Sequence, residues 1–213
     1  ATVRDRAHAE LTVLTPGWRP RLDPAPARGT PTSGRILHLL TNSLPYREAG
    51  YTVRTQQVAR CQIAAGLDPR LATRAGFPRN EGIRGAPPTS DVDGVRYYRV
   101  LPDLDPATPI DRLGRANAEA AQALVEDLRP AVLHPASNHA NAQVALALRD
   151  RYRIPVVYEV RGFLEETWRS RASTDVAESD RYRASREVET ACMRDADAVV
   201  TLSETMRQDI LAR

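Results

Sequence analysis

Apolar positions along the chain fall into short continuous runs that alternate with stretches of helical spacing, the pattern of strands taking turns with helices. "RILHLL" (35–40) reads as a buried strand. "TVRTQQVARCQIAAG" (52–66) reads as an amphipathic helix, with Val53, Val58, Cys61 and Ala65 near helical spacing and Gly66 at its end. "PRLATRA" (69–75) is a second strand of weaker alternation, and "GVRYYRVL" (94–101) alternates as an exposed or edge strand would. Between them, residues 76–94 hold four glycines and three prolines and read as a long irregular connection. The second half repeats the rhythm with shorter loops. A helix over 111–129 stops before Pro130, followed by strand "AVLHP", helix "NAQVALALRDRYR" and strand "IPVVYEV"; helix "SDRYRASREVETACMRDA", strand "DAVVTLS" and a last helix capped by Ser203 complete it.

Strands that alternate with helices through short loops must pair in parallel through right-handed crossovers. The expected fold is therefore α/β: a doubly wound, mostly parallel, Rossmann-like sheet with helices on both faces. Residues 1–34 stand outside that rhythm. Pro16, Pro20, Pro24, Pro26 and Pro31 punctuate a short helical turn around 6–14 and an extended arm, so the domain proper begins at Arg35.

Composition removes several classes of function. Hydrophobic residues make up 42% of the 213 and charged ones 27%, as in a soluble globular protein, and no apolar run approaches a membrane span. The first residues lack the apolar middle of a secretion signal. All 30 basic side chains are arginine, which rules out a lysine Schiff base or a phosphate-loop lysine. A net charge of +3, spread among acids along the helices, does not suit a nucleic-acid partner. Cys61 and Cys192 read as buried thiols in a reducing compartment, with neither a disulfide framework nor a metal spacing.

Ligands of an open parallel sheet bind outside the carboxyl ends of its strands. Four loops open on that edge: 41–51, 134–141, 159–168 and 202–204. In the first, Gly50 either admits a ligand close to the backbone or serves only a tight turn, with Ala49 and Tyr51 flanking it. The second, "HPASNHAN", offers His134, Ser137, Asn138, His139 and Asn141, a density of donors and acceptors suited to a hydroxyl-rich ligand; Ser137 or Asn138 could equally cap the next helix. In the third, Glu159 and Arg161 share one face of a strand and pair with each other or with something in the cleft, with Gly162 following. Glu165 and Glu166 are cleft carboxylates or a solvated helix start, the second reading being preferred. The fourth supplies Ser203 and Glu204. No dinucleotide fingerprint, nucleophile elbow, triad spacing or phosphate-loop consensus is present.

Taken in order, "ILHLLTNSLPYREAGYTVRTQQVA", "DVDGVRYYRV", "YEVRGFLEETW" and "ADAVVTLSETMRQDI" resemble the N-terminal domain of family-four retaining glycosyltransferases, members of the GT-B superfamily, over roughly residues 35–213. The resemblance implies a two-domain enzyme in which this half, residues 35–213, mainly holds the acceptor. The donor-binding C-terminal domain, with its paired glutamates, would lie outside the chain, and these residues alone would be inactive. A nucleotide sugar is the implied co-substrate, with no cofactor and no metal; the implied acceptor is a sugar, a lipid-linked molecule or a small metabolite. Gly50 falls where relatives approach the donor diphosphate or the transferring sugar, although many of them carry two glycines and this chain has Ala49 before Gly50. Arg161 falls where many relatives carry a cleft histidine, and it is the catalytic candidate on this chain; a histidine's proton chemistry does not transfer to an arginine. The expected setting is cytoplasmic, with peripheral contact at the inner membrane face as a further expectation. The competing reading is a non-catalytic Rossmann-like module that binds a carbohydrate or a partner.

Overall fold

The computed structural model describes residues 2–22, 24, 29–100, 105 and 107–213. Pro26 of the proline arm and Leu101 at the end of an expected strand lie outside the described residues. The elements run α1 (Val3–Val13), β1 (Arg35–Leu40), α2 (Gly50–Ala64), β2 (Asp68–Thr73), β3 (Thr89–Val92), β4 (Val95–Arg99), α3 (Ile110–Leu128) and β5 (Val132–Pro135). They continue with α4 (His139–Tyr152), β6 (Val157–Val160), α5 (Leu164–Arg169), α6 (Asp180–Asp195), β7 (Ala198–Thr201) and α7 (Glu204–Ala212).

Strand order is β3-β4-β2-β1-β5, and parallel bridges from Leu133 to Val156 and from Ala136 to Glu159 carry the sheet on to β6 and β7. With β3 set aside, all pairings are parallel. The strands succeed one another as in the doubly wound dinucleotide fold, with the direction of winding reversing between β1 and β5. That boundary is the topological switch point. His38 lies opposite both Leu71 and His134 there, which fixes the register across three central strands.

Alternation along β1 sends Leu37 and Leu39 to one face and His38 and Leu40 to the other. The first face builds the main core with Ala118, Ala121 and Val125 of α3, Val144 and Leu148 of α4, and Cys192 and Met193 of α6. Helix α4, with ten buried residues, is enclosed almost all round. The second face carries α2, and here the packing departs from the sequence pattern. Helix α2 buries Thr52, Thr55, Gln56 and Ala59, while Val53 and Ile63 are exposed. The sheet under it presents His38, His134 and Glu159, and buried polar groups require polar partners, so the hydroxyl and amide side of the helix turns inward. Cys61 is consequently exposed, correcting the expectation of two buried thiols; Cys192 is buried.

Two further differences are local. Strand β4 is interior, because β3 pairs with it antiparallel through a two-residue turn at Asp93 and Gly94, both at positive φ. The Asp-Gly pair is the turn such a hairpin demands, so the stretch expected to be irregular contains the edge strand. The arm is also fastened to the domain. Gln143 Nε2 donates to Val13 O at 2.8 Å, the Trp18 ring lies against Gly114, and Arg19 pairs with Asp150 and Asp195. Finally, no described helix is long and apolar enough to cross a membrane.

Candidate functional site

The loop after β1 delivers the chain to α2 at Ala49, which has no side-chain oxygen with which to cap; Thr52 Oγ1 accepts from Ala49 N at 3.0 Å instead. Gly50 is the first helical residue. A Cβ built there would meet no atom within 4 Å and its φ is not left-handed, so the fold does not demand glycine at this position. The same holds at Gly162. A tight turn therefore accounts for neither residue.

Hydrogen bonds stitch three of the four expected loops together around the switch point. Asn141 Nδ2 donates to Ala136 O at 2.8 Å and to Thr41 Oγ1 at 3.2 Å, and Thr41 N donates to the Tyr51 hydroxyl at 3.4 Å. Ser137 Oγ accepts from Arg161 N at 3.1 Å. Arg161 is 6% exposed at its side chain: Nη1 donates to Thr55 Oγ1 (2.7 Å) and Tyr51 O (3.0 Å), Nη2 donates to Glu159 Oε2 (2.6 Å), and the guanidinium lies over the Tyr51 ring at 4.6 Å. Tyr51, Thr55, Ser137, Glu159 and Arg161 thus meet at one place, with Ala49 and Gly50 preceding Tyr51 at the start of α2.

Beneath them runs a polar row. His38 and His134 stack with centroids 4.4 Å apart, and His38 Nε2 is 2.8 Å from Gln62 Oε1. Burial, and then the neighbouring His134, lower the His38 pKa to about 3, so its ring is neutral. His134 Nε2 is 3.4 Å from Glu159 Oε2, an electrostatic contact without hydrogen-bond alignment. Glu159 accepts from Arg54 Nε at 2.8 Å on its other oxygen. Burial alone would raise the Glu159 carboxyl, but His134, Arg161 and Arg54 outweigh it and hold the carboxyl well below the usual range. Glu159 is accordingly a permanent anion that orients cations, and proton transfer is not its chemistry.

Other candidates sit elsewhere or serve the fold. Asn138 caps α4, its Oδ1 accepting from Ala140 N at 3.2 Å. His139 turns to α6, with its backbone N donating to Glu189 Oε2 at 2.8 Å, so the two histidines of the loop diverge. Among the described residues no group of His, Cys, Asp and Glu could hold a metal ion. Ser203 caps α7 by accepting from Met206 N at 3.2 Å, and Glu204 pairs with Arg207 at 2.9 Å; both are exposed, and among the described residues no side-chain hydrogen bond or ion pair joins them to the other three loops. Glu165 is 1% exposed and accepts from Arg213 Nη1 at 2.8 Å, correcting the expected solvated helix start, while Glu166 accepts from the Tyr182 hydroxyl.

Sequence reasoning missed Arg54, Thr55 and Arg74. Arg54 and Thr55 lie inside a helix and touch the site only through its fold. Arg74 directly follows β2, which ends at Thr73; the strand-end rule did not reach it because the expected strand ran on to Ala75. The assembled edge offers hydroxyls, amides and fixed guanidinium charge: equipment for binding and orienting an anionic or polyhydroxyl ligand.

Comparisons place this geometry in a family. The profile of the glycosyl transferase 4-like domain matches residues 49–213, beginning at the α2 cap. No curated protein matches. Among solved structures, the chain is similar to a UDP-N-acetylglucosamine 2-epimerase from Rickettsia bellii (13% identity, TM-score 0.49, covering 84% of this chain and 41% of that one). It is also similar to an alpha-glucosyltransferase in complex with UDP and a 13-mer DNA containing a central A:G mismatch (16% identity, TM-score 0.41, covering 80% and 37%). The chain spans less than half the length of either, and likeness at this level assigns no residue a role. By the match over 49–213, which takes in α2 and every element after it, the chain belongs to the glycosyl transferase 4-like domain family.

Proposed function

We propose that this chain is the acceptor-side domain of a retaining glycosyltransferase that takes its sugar from a nucleotide-sugar donor. A second Rossmann-like domain beyond residue 213 closes the cleft and holds most of the donor. The observation that carries the reading is Gly50: an unhindered glycine that the fold does not require, opening a helix at the switch point of a doubly wound sheet. Backbone without a Cβ there lets a sugar or diphosphate approach the first N–H groups of α2, whose dipole favours an anion.

Family membership supports sugar transfer as the reaction. Arg161 acts in this reading as a fixed positive charge and a brace for Tyr51, because its guanidinium is already committed to Glu159 and Thr55. Ser137, half-buried, brings a hydroxyl to the acceptor wall beside it, while Asn141 beneath ties that wall to the loop after β1. Retention is tested on the complete enzyme. Incubation with a panel of nucleotide sugars and sugar acceptors, followed by mass spectrometry and proton NMR of the product, should give one glycosylated species with the donor's anomeric configuration. No transfer from any donor of the panel, or an inverted product, contradicts the reading.

A further inference from the structure

Strand β2 ends at Thr73, and the next residue carries a charge that the fold leaves unneutralised. Arg74 N donates to Leu40 O at 2.8 Å, which holds the residue beside Thr41 at the ligand edge. Its side chain is half-buried, and among the described residues the guanidinium makes no ion pair and no hydrogen bond. Glu81 is the carboxylate whose charge it senses, and Glu81 already faces Arg47 at 3.8 Å. Burial lowers the Arg74 pKa, as expected of a cation taken from water without a counter-ion.

The neighbouring strand repeats the arrangement. Arg99, the register partner of Thr73, is 4% exposed and has no carboxylate partner among the described residues. It donates to Ser90 Oγ at 2.8 Å and to Leu44 O at 3.3 Å, all neutral acceptors, and lies over the Tyr46 ring at 4.7 Å. The contrast with the other side of Tyr51 is direct, since Arg54 and Arg161 there share Glu159. Buried cations are normally paired. Two adjacent strand ends at a ligand-binding edge therefore present guanidinium charge with no carboxylate to meet it among the described residues; Arg99 is largely committed to neutral acceptors, with only its buried Nε unpartnered, whereas the Arg74 guanidinium has its hydrogen-bonding capacity unspent.

We propose that Arg74 binds an anionic group of the acceptor, a phosphate or a carboxylate, with Arg99 supplying a second, fixed positive charge behind it. The shared chemistry is a compact oxyanion with two oxygens to meet the planar guanidinium fork. This rests on the reading that the domain holds the acceptor, and it narrows the acceptor from any hydroxyl-bearing molecule to an acidic one.

The test is a binding titration, independent of turnover. ¹⁵N-labelled protein is titrated at constant ionic strength with glucose 1-phosphate, glucuronate, neutral glucose and UDP, following the arginine Nε–H resonances. The expected result is saturable binding of the sugar phosphate, the sugar carboxylate or both, with glucose far weaker. Arg74→Gln should weaken that binding by about tenfold or more, as loss of a charge-assisted hydrogen bond does. Arg60→Gln, on the exposed side of α2, should leave it unchanged. The thermal midpoint of Arg74→Gln should stay level or rise, because no internal partner is lost; a structural role would lower it. Equal affinity in wild type and Arg74→Gln, or no saturation with either anionic sugar, overturns the proposal, and Arg74-dependent binding of UDP in place of the sugar anions overturns the assignment to the acceptor. Arg74-dependent binding without any sugar transfer by the complete enzyme would count against the enzymatic reading alone.

Discussion

Arg161 and Glu159 stand two residues apart at the end of β6, with Arg161 Nη2 2.6 Å from Glu159 Oε2, and the same carboxylate takes Arg54 Nε at 2.8 Å on its other oxygen. One buried anion serves two cations. Removing it leaves Arg161, 6% exposed, without a counter-charge, whereas Arg54, 43% exposed, can turn to water. Glu159→Gln should therefore cost about 3 kcal/mol in denaturant unfolding, the order expected when one partner of a buried pair is lost. Glu159→Gln combined with Arg161→Met should recover part of that loss. A single variant as stable as wild type would show that the pair does not hold this corner together.

The neutral His38 ring makes stability depend on pH. Its pKa is lowered to about 3 in the folded protein against 6.5 for the free group, so the unfolded chain gains a proton that the folded one refuses. The stabilisation is complete above 6.5 and is lost as pH falls from there towards 3, at up to about 1.4 kcal/mol per pH unit. Chemical denaturation between pH 7 and 5 should show that slope in wild type and a flatter one in His38→Gln, whose amide can still bond Gln62. Equal slopes would mean that His38 is not held neutral.

Asn141 is 1% exposed and spans Ala136 O and Thr41 Oγ1. Asn141→Ala strands a buried carbonyl and should cost about 1 to 3 kcal/mol. Amide exchange should also quicken in the loops after β1 and β5, because the variant unties one from the other. Unchanged exchange in both loops would show that this bridge does not couple them.

The inward polar face of α2 is open to a chemical check. In the folded protein a thiol reagent should modify Cys61 quickly and spare Cys192, which is buried and whose pKa burial raises; both should react once the chain is unfolded. Protection of Cys61 would mean that the apolar side of the helix packs inward after all.

That helix also shows where the sequence was and was not legible. Strand and helix existence could be read from period and caps, and parallel pairing followed from their alternation, so the strand-end loops could be named in advance, whereas the strand order and the position of the switch point came only with the structure. Which side of α2 faces inward could not be read, because Val53, Val58 and Cys61 mark an apolar stripe and the sequence gives no notice that His38, His134 and Glu159 will lie beneath Thr55 and Gln56. Burial of these groups is a tertiary property, and it overrode local pattern. The β3–β4 hairpin was missed for a different reason: the Asp93-Gly94 signal was present but was absorbed into a glycine- and proline-rich stretch. Glu159 and Arg161 could be singled out as charges on a buried strand, while Arg54, which shares that carboxylate, lies 105 residues away along the chain.

The central claim is that the unhindered backbone at Gly50 meets the transferring sugar or its diphosphate, and the most direct measurement is turnover of the complete enzyme with Gly50→Val. A Cβ at residue 50 meets nothing within 4 Å, so the variant should unfold at the wild-type temperature or slightly above it. Its rate of sugar transfer should nonetheless fall by about a hundredfold or more, since small displacements of a bound reactant cost that much. A folded Gly50→Val enzyme that transfers sugar at the wild-type rate would contradict the account.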